Sequence, residues 1–73
     1  MDNNFGTRLK AIRMNREMSI EELAQESGVA AGTIKRFERR GSRPTLSCVR
    51  ELALALHVLP STLLNNSTRY DKQ

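Results

Sequence analysis

The chain has 73 residues, enough for one small domain, and 38% of them are hydrophobic with no Trp, so its core must be mostly aliphatic. Its net charge of +4 favours a polyanionic partner, either nucleic acid or an anionic membrane surface. The first residues lack the basic and apolar regions of a secretory signal, and no apolar run approaches the roughly 18 residues that span a bilayer. We therefore expect a cytoplasmic protein that is not embedded in a membrane.

Side chains suited to catalysis or metal binding are scarce in this sequence. Cys48 is the single cysteine and His57 the single histidine, so neither a disulfide nor a credible Cys/His or Ser/His/Asp set can be assembled. Neither residue has a neighbour at metal-ligand spacing. We expect no enzymatic activity, no metal ion, no cofactor and no small-molecule ligand.

Two helices are predicted in the first part of the chain. Apolar residues recur at helical spacing within residues 5–12 and predict a first helix that ends near residues 15–17. Ser19, with Glu22 three residues later, forms a capping box, which predicts that a second helix begins there. Gly28 can adopt a positive φ, so we expect the second helix to end there after about eight residues.

A third helix is predicted over residues 31–39, with Ile34 and Phe37 on its inward side and cations on its outward side. The proline at the end of residues 41–44 disfavours helix in the residue before it, so this segment is predicted to be a loop. The helix and the loop together contain five cations against one acid, Glu38. These cations are Lys35, Arg36, Arg39, Arg40 and Arg43.

Two further helices are predicted after this loop. Thr45 can cap a fourth helix that runs through about Leu56. Residues 52–56 also alternate like a strand, but good helix formers, the cap and the lack of a neighbouring strand favour helix. Pro60 suits the first turn of a short fifth helix that runs through Leu64.

The second and third predicted helices have the layout of a helix-turn-helix, in which two short helices are joined by a tight glycine turn. A basic helix fits the major groove of DNA, while the preceding helix braces against the backbone. A solvated charged face is the alternative interpretation of the cations. We expect one all-α, five-helix domain over residues 1–65, followed by a polar tail over residues 66–73.

Motifs along residues 5–65 point to one family of such proteins. They are Phe5-Gly6-x-Arg8-Leu9-x-x-Ile12-Arg13, Ser19-x-Glu21-Glu22-Leu23-Ala24, Gly28-Val29, Thr33-Ile34, Phe37-Glu38, Arg43-Pro44 and Leu52-Ala53-x-Ala55-Leu56. In order and spacing, the chain resembles the Cro/CI-type (XRE) family of helix-turn-helix proteins. The resemblance implies a lambda-repressor-like domain that is usually dimeric on double-stranded DNA.

The resemblance also implies a set of DNA-contacting positions. The positions that match base-contacting residues of the family are Ala30, Ala31, Gly32, Lys35 and Arg36. Those that match phosphate-contacting residues are Ser19, Thr33, Arg40, Ser42 and Arg43. Arg13 and Glu38 occupy the positions of a structural ion pair that ties the first helix to the third.

Five positions depart from the family pattern. Ile20 replaces a common glutamine and cannot bond a phosphate, and Ala30 replaces a hydroxyl cap, a change that costs about 1 kcal/mol. Gly32 costs about another 1 kcal/mol inside the third helix. Gly41 lies later than the glycine that usually follows this helix, and His57 stands where glycine often ends the fourth helix.

These observations predict a transcriptional regulator, expected to be a repressor that binds a palindromic operator as a homodimer through its C-terminal region, Val58–Leu64. One alternative is an antitoxin or restriction-modification controller protein that uses the same domain. The other is a protein-interaction or RNA-binding module that has lost DNA reading.

Overall fold

A computed structural model describes residues 5–64 of the chain, and these residues form five α-helices. The helices are α1 (Phe5–Asn15), α2 (Ile20–Ser27), α3 (Ala31–Arg40), α4 (Leu46–Leu56) and α5 (Pro60–Leu64). The prediction of an all-α domain with five helices is confirmed within the described range. The tail expected over residues 66–73 lies outside the described residues.

Hydroxyl caps begin two of the helices where the sequence predicts them. The Ser19 hydroxyl accepts a hydrogen bond from the Glu22 backbone N–H, and the Glu22 carboxylate accepts one from the Ser19 backbone N–H. This reciprocal capping box satisfies amides that the first turn of α2 leaves unpaired. In the same way, the Thr45 hydroxyl accepts from the backbone N–H of Cys48 and starts α4.

Three helices end at a residue with positive φ. Gly28 (φ 81°) ends α2 and Gly41 (φ 66°) ends α3, as suits a residue without a Cβ. The position of Gly41 makes α3 one residue longer than predicted, because the helix continues through Arg40. His57 (φ 61°) ends α4 in the same left-handed conformation.

The core is aliphatic apart from one phenylalanine, and α4 contributes half of its buried residues. The ten buried hydrophobic residues are Leu9, Leu23, Ile34, Phe37, Val49, Leu52, Ala53, Ala55, Leu56 and Leu63. In a strand, residues 52, 54 and 56 would share one face. Leu54 is instead 74% exposed while its two neighbours in that pattern are fully buried, so the helical interpretation is confirmed.

The packing of the helices leaves one side of α3 free. Helix α3 lies against α1 and α2, while α4 packs on α2 and α5, and α5 also contacts α1. Ile34 and Phe37 point from α3 into the core. The opposite side of α3, which is polar and charged, therefore faces outward.

Candidate nucleic-acid interface

The outward side of α3 forms a shallow groove with a volume of about 410 Å³. Gly32, Lys35, Arg36, Arg39 and Arg40 line this groove. All four cations are exposed, and none has an ion-pair partner among residues 5–64. The groove is therefore a concentrated positive surface, suited to a polyanion.

Arg39 is a groove residue that the family motif did not single out. It lies three residues after Arg36 and four after Lys35, which puts all three on the same side of an α-helix. The sequence contained a usable signal, because the helical period alone groups Arg39 with the other two cations. The α3 groove thus extends over the whole length of the helix.

Gly32 lies at the start of this groove and has no structural reason to be glycine within residues 5–64. A Cβ placed on Gly32 meets no atom within 4 Å, and its φ is not positive. A helical glycine destabilises a protein by about 1 kcal/mol relative to alanine. The missing side chain leaves the backbone of α3 accessible at this point.

The other residues expected to contact DNA lie outside this groove. Ala31 is half-buried at the first position of α3, and Thr33, at the third position, is also half-buried. In the loop between α3 and α4, Ser42 is half-buried and Arg43 exposed. Ser19 is exposed at the start of α2, where its hydroxyl already accepts the capping hydrogen bond.

A hydrogen-bonded ion pair joins α1 to α3 behind this surface. Arg13 Nε lies 2.9 Å from Glu38 Oε2, and Arg13 Nη2 lies 3.0 Å from Glu38 Oε1. Arg13 Nη1 also donates to the backbone carbonyl of Met18, at 2.7 Å. The hydrogen bonds to Glu38 raise the pKa of Arg13 above its ordinary value, although partial burial acts in the opposite direction.

The ion pair is largely hidden from solvent, since the two side chains are only 11% and 5% exposed. Two parallel hydrogen bonds fix the guanidinium and the carboxylate in one plane. The pair also connects the loop between α1 and α2 to the last turn of α3. It therefore sets the position of α3 relative to the rest of the domain.

A close helix contact reinforces this arrangement at the start of α1. A Cβ on Gly6 would overlap the carbonyl oxygen of Phe37, so only glycine allows α1 to lie this near the backbone of α3. Next to it, the rings of Phe5 and Phe37 meet edge to face, with 5.4 Å between their centroids. Although Gly6 belongs to the recognised motif, sequence alone could not identify its contact, because the partner lies about thirty residues away.

The turn between α2 and α3 is held by local hydrogen bonds. The backbone N–H of Gly28 donates to Ala24 at 2.8 Å, which closes α2. The hydroxyl of Ser27, a buried residue, accepts from the backbone N–H of Val29 at 3.1 Å. These bonds set the angle at which α3 leaves α2.

Three other kinds of feature among residues 5–64 bear on function, namely groups that could hold a metal ion, a free thiol and helices that could span a membrane. Within residues 5–64, no three His, Cys, Asp or Glu side chains are grouped so that they could hold a metal ion. Cys48 has a half-buried free thiol. None of the helices over this range is both long enough and apolar enough to cross a membrane.

Comparison of the sequence with known proteins points to one family. The model of the helix-turn-helix family HTH_3 matches residues 9–63. The chain is 34% identical over 72 residues to the HTH-type transcriptional regulator SinR of Bacillus licheniformis. This alignment covers 94% of this chain and 65% of that protein. It is 39% identical over 57 residues to the HTH-type transcriptional repressor RghR of Bacillus subtilis strain 168, and this alignment covers 75% of this chain and 42% of that protein.

A third relative, the HTH-type transcriptional regulator SutR of Escherichia coli strain K12, is 34% identical over 61 residues, with 84% of this chain and 34% of that protein covered. The chain thus spans between 34% and 65% of the length of these three relatives.

Solved structures with the same fold agree with the sequence comparison. The restriction-modification controller protein C.AhdI from Aeromonas hydrophila superimposes with a TM-score of 0.77 and 34% identity, over 81% of this chain and 89% of that one. An HTH_3 family transcriptional regulator from Vibrio cholerae superimposes with a TM-score of 0.79 and 27% identity, over 90% of this chain and 37% of that one. The resemblance predicted from the sequence motifs is confirmed.

Proposed function

Because the chain belongs to the helix-turn-helix family HTH_3, we propose that it regulates transcription by binding double-stranded DNA with α3 in the major groove. The observation that supports this proposal most directly is the α3 groove, where four exposed cations line one side of a helix. A helix of this kind brings arginine within reach of guanine O6 and N7, and lysine within reach of base and phosphate oxygens. The relatives named as transcriptional regulators support the same function.

The contacts divide into two groups under this proposal. Base edges are read by Ala31, Gly32, Lys35 and Arg36, of which the last three line the α3 groove. Backbone phosphates are held by Ser19, Thr33, Arg40, Ser42 and Arg43. Phosphate contacts position the protein on the duplex, and base contacts specify the sequence.

The protein acts in the cytoplasm as a repressor that binds a palindromic operator as a homodimer. The relative named as a transcriptional repressor supports the sign of regulation. Dimerisation is supported by the small size of the reading element, because a ten-residue α3 contacts only a few base pairs. Two copies related by a two-fold axis read two half-sites and thereby gain affinity and specificity.

The test is selection of bound sequences from a pool of random duplex DNA by the purified protein. The expected result is one enriched sequence with two inverted half-sites about 34 Å apart, the length of one turn of the duplex. A control with a variant in which Lys35, Arg36, Arg39 and Arg40 are all replaced by alanine should enrich nothing. If the unchanged protein enriches no sequence, the proposed function is wrong.

One observation favours a second, narrower role. The structural neighbour C.AhdI is a restriction-modification controller protein, and its likeness covers most of both chains. A controller of this kind would use the same α3 contacts, so the protein's own residues do not separate the two roles. Mapping the selected sequence onto the source genome does, because a controller requires sites beside restriction and modification genes.

A further inference from the structure

Arg39 holds the most outward position of α3. Successive residues of an α-helix are turned by about 100° around its axis. By this geometry Arg39 lies about 170° from the midpoint between Ile34 and Phe37, the two residues of α3 that are buried in the core. Arg39 is exposed and lines the α3 groove. Its guanidinium is therefore presented to whatever binds against this side of the helix.

Arg39 is in line with the groove residues that we propose to read bases. Viewed along the helix axis, it is turned only about 20° from Gly32. Lys35 and Arg36 flank it on either side, at about 40° and about 60°. All four residues line the same groove. Arg39 thus lies at the centre of the base-reading side rather than at its edge.

The two residues of α3 that we propose to bind phosphates lie on one flank of the helix. Arg40 is turned about 100° from Arg39 but only about 20° from Thr33. A helix in the major groove turns its outermost side to the base edges and its flanks to the backbone phosphates. The position of Arg39 around the helix therefore groups it with the base-reading residues and not with Arg40.

Arg39 has no ion-pair partner within residues 5–64. The acid beside it in sequence is Glu38, and both carboxylate oxygens of Glu38 accept hydrogen bonds from Arg13. Arg39 also lies four residues after Lys35, and like charges at this spacing destabilise a helix. Within the described range this arginine thus lowers helix stability, an effect that binding of hydrogen-bond acceptors would offset.

We propose that Arg39 reads a guanine in each half-site of the operator, by bidentate hydrogen bonds from its guanidinium to O6 and N7. The inference rests on the proposed function, because it names a base that α3 recognises. Arg39 lies about 4.5 Å beyond Arg36 along the helix, against about 3.4 Å for one base-pair step. The two arginines therefore read guanines that are at most about two base pairs apart.

Selection of bound sequences from random duplex DNA, carried out with two variants beside the unchanged protein, tests the inference. Glutamine bonds adenine N6 and N7 in the way that arginine bonds guanine. Arg39→Gln should therefore enrich a sequence in which adenine replaces guanine at one base pair of each half-site. Arg40→Gln is the matched control, because it removes the neighbouring exposed arginine, and it should enrich the unchanged sequence.

Fluorescence anisotropy titrations measure the size of the effect on duplexes that differ only at this base pair. The unchanged protein should bind the guanine duplex about tenfold more tightly than the adenine duplex, within the range for a bidentate base contact. Arg39→Gln should abolish or reverse this preference, whereas Arg40→Gln should weaken both duplexes and keep it. Glutamine and arginine are similar helix formers, so the helical circular dichroism should be the same for all three proteins.

The outcomes distinguish the inference from the proposed function. If the unchanged protein enriches a site and Arg39→Gln enriches the same site with the same guanine preference, Arg39 does not read a base and the inference alone is wrong. Loss of guanine preference in Arg40→Gln but not in Arg39→Gln would also overturn it. If the unchanged protein enriches no sequence, the proposed function fails and the inference fails with it.

Discussion

Arg13 is the residue through which three parts of the domain meet. Its guanidinium donates to both carboxylate oxygens of Glu38 in α3 and to the backbone carbonyl of Met18 before α2. Both charged groups are mostly withdrawn from water. Removing one partner of such a pair leaves the other charge buried and unpaired, which is more damaging than loss of an exposed pair.

We therefore expect Glu38→Ala to lower the free energy of unfolding by about 3–5 kcal/mol, the range for breaking a buried pair. Arg16→Ala, which removes an exposed cation just after α1, is the control and should change it by less than about 0.5 kcal/mol. Urea unfolding at neutral pH measures both. A loss of only a few tenths of a kcal/mol for Glu38→Ala would show that the pair contributes no more than a surface ion pair.

His57 is held in a conformation that histidine rarely adopts. Its φ is 61°, and its backbone N–H donates to the carbonyls of Ala53 and Leu54 at the end of α4. A left-handed residue with a Cβ costs about 1–2 kcal/mol, whereas glycine loses about 0.5–1 kcal/mol through its greater freedom in the unfolded chain.

The expected result of His57→Gly is a rise of about 0.5–1 kcal/mol in the free energy of unfolding, the difference between these two effects. Lys10→Gly is the matched control, because it introduces glycine at an exposed position inside α1 and should destabilise by about 1 kcal/mol. Thermal melting of both variants decides the matter. If His57→Gly melts at a lower temperature than the unchanged protein, the strain at this position is negligible.

At the scale of one element, α3 combines a weak beginning with a firmly held end. Ala30 precedes it without any side-chain capping bond, and Gly32 follows in its first turn. Its last turn is held by the bond from the Gly41 N–H to the Phe37 carbonyl and by the ion pair of Glu38. Position 32 thus lowers helix stability without a compensating contact among residues 5–64.

We expect Gly32→Ala to raise the free energy of unfolding by about 0.5–1 kcal/mol, the helix propensity difference. The same change should weaken binding to the selected DNA about tenfold, which corresponds to about 1.4 kcal/mol, because the added methyl group keeps the backbone from the base edges. Melting curves and fluorescence anisotropy titrations on one protein preparation measure the two effects. If stability rises while DNA affinity stays unchanged, the backbone at Gly32 does not contact the DNA.

Replacing Arg36 or Arg43 distinguishes contacts to base edges from contacts to backbone phosphates. Arg36 lines the α3 groove, whereas Arg43 lies exposed in the loop that follows α3. Arg36→Ala should reduce affinity for the selected sequence by about 1–3 kcal/mol, as loss of a bidentate guanine contact does. Arg43→Ala should weaken selected and scrambled duplexes alike and reduce the slope of log affinity against log salt by about one.

Titrations of each variant against both duplexes at two salt concentrations provide the comparison. Each variant serves as the control for the other, because both remove one exposed arginine. Equal loss of affinity for both duplexes by Arg36→Ala would exclude it from base reading.

At the scale of the whole molecule, the prediction concerns stoichiometry on DNA. One domain offers a single α3, so a palindromic site should bind two copies, one on each half-site. Sedimentation velocity with the palindrome should give a complex of two chains per duplex, and a duplex with one half-site should give a complex of one chain with much lower affinity. A tight complex of one chain on the full palindrome would contradict a symmetric dimer.

The sequence by itself determined most limits of the helices, because the signals for them are local, although α3 continues one residue beyond its predicted end. The Ser19 and Thr45 hydroxyls, the positive φ of Gly28 and the apolar spacing of α1 each act within a few residues of where they occur. The order of the motifs also predicted the fold and the basic outer side of α3. Even the end of α4 at His57 followed from a position where glycine was expected.

Tertiary structure alone decided which of these residues meet at a distance. It placed Gly6 against the backbone of Phe37, assigned Leu63 to the core and left Leu54 and Leu59 exposed. A pattern of apolar residues predicts which side of a helix is buried but not how much of that side the neighbouring helices cover. Burial depends on contacts between segments that are distant in sequence, so these assignments become visible only when all five described helices have packed together.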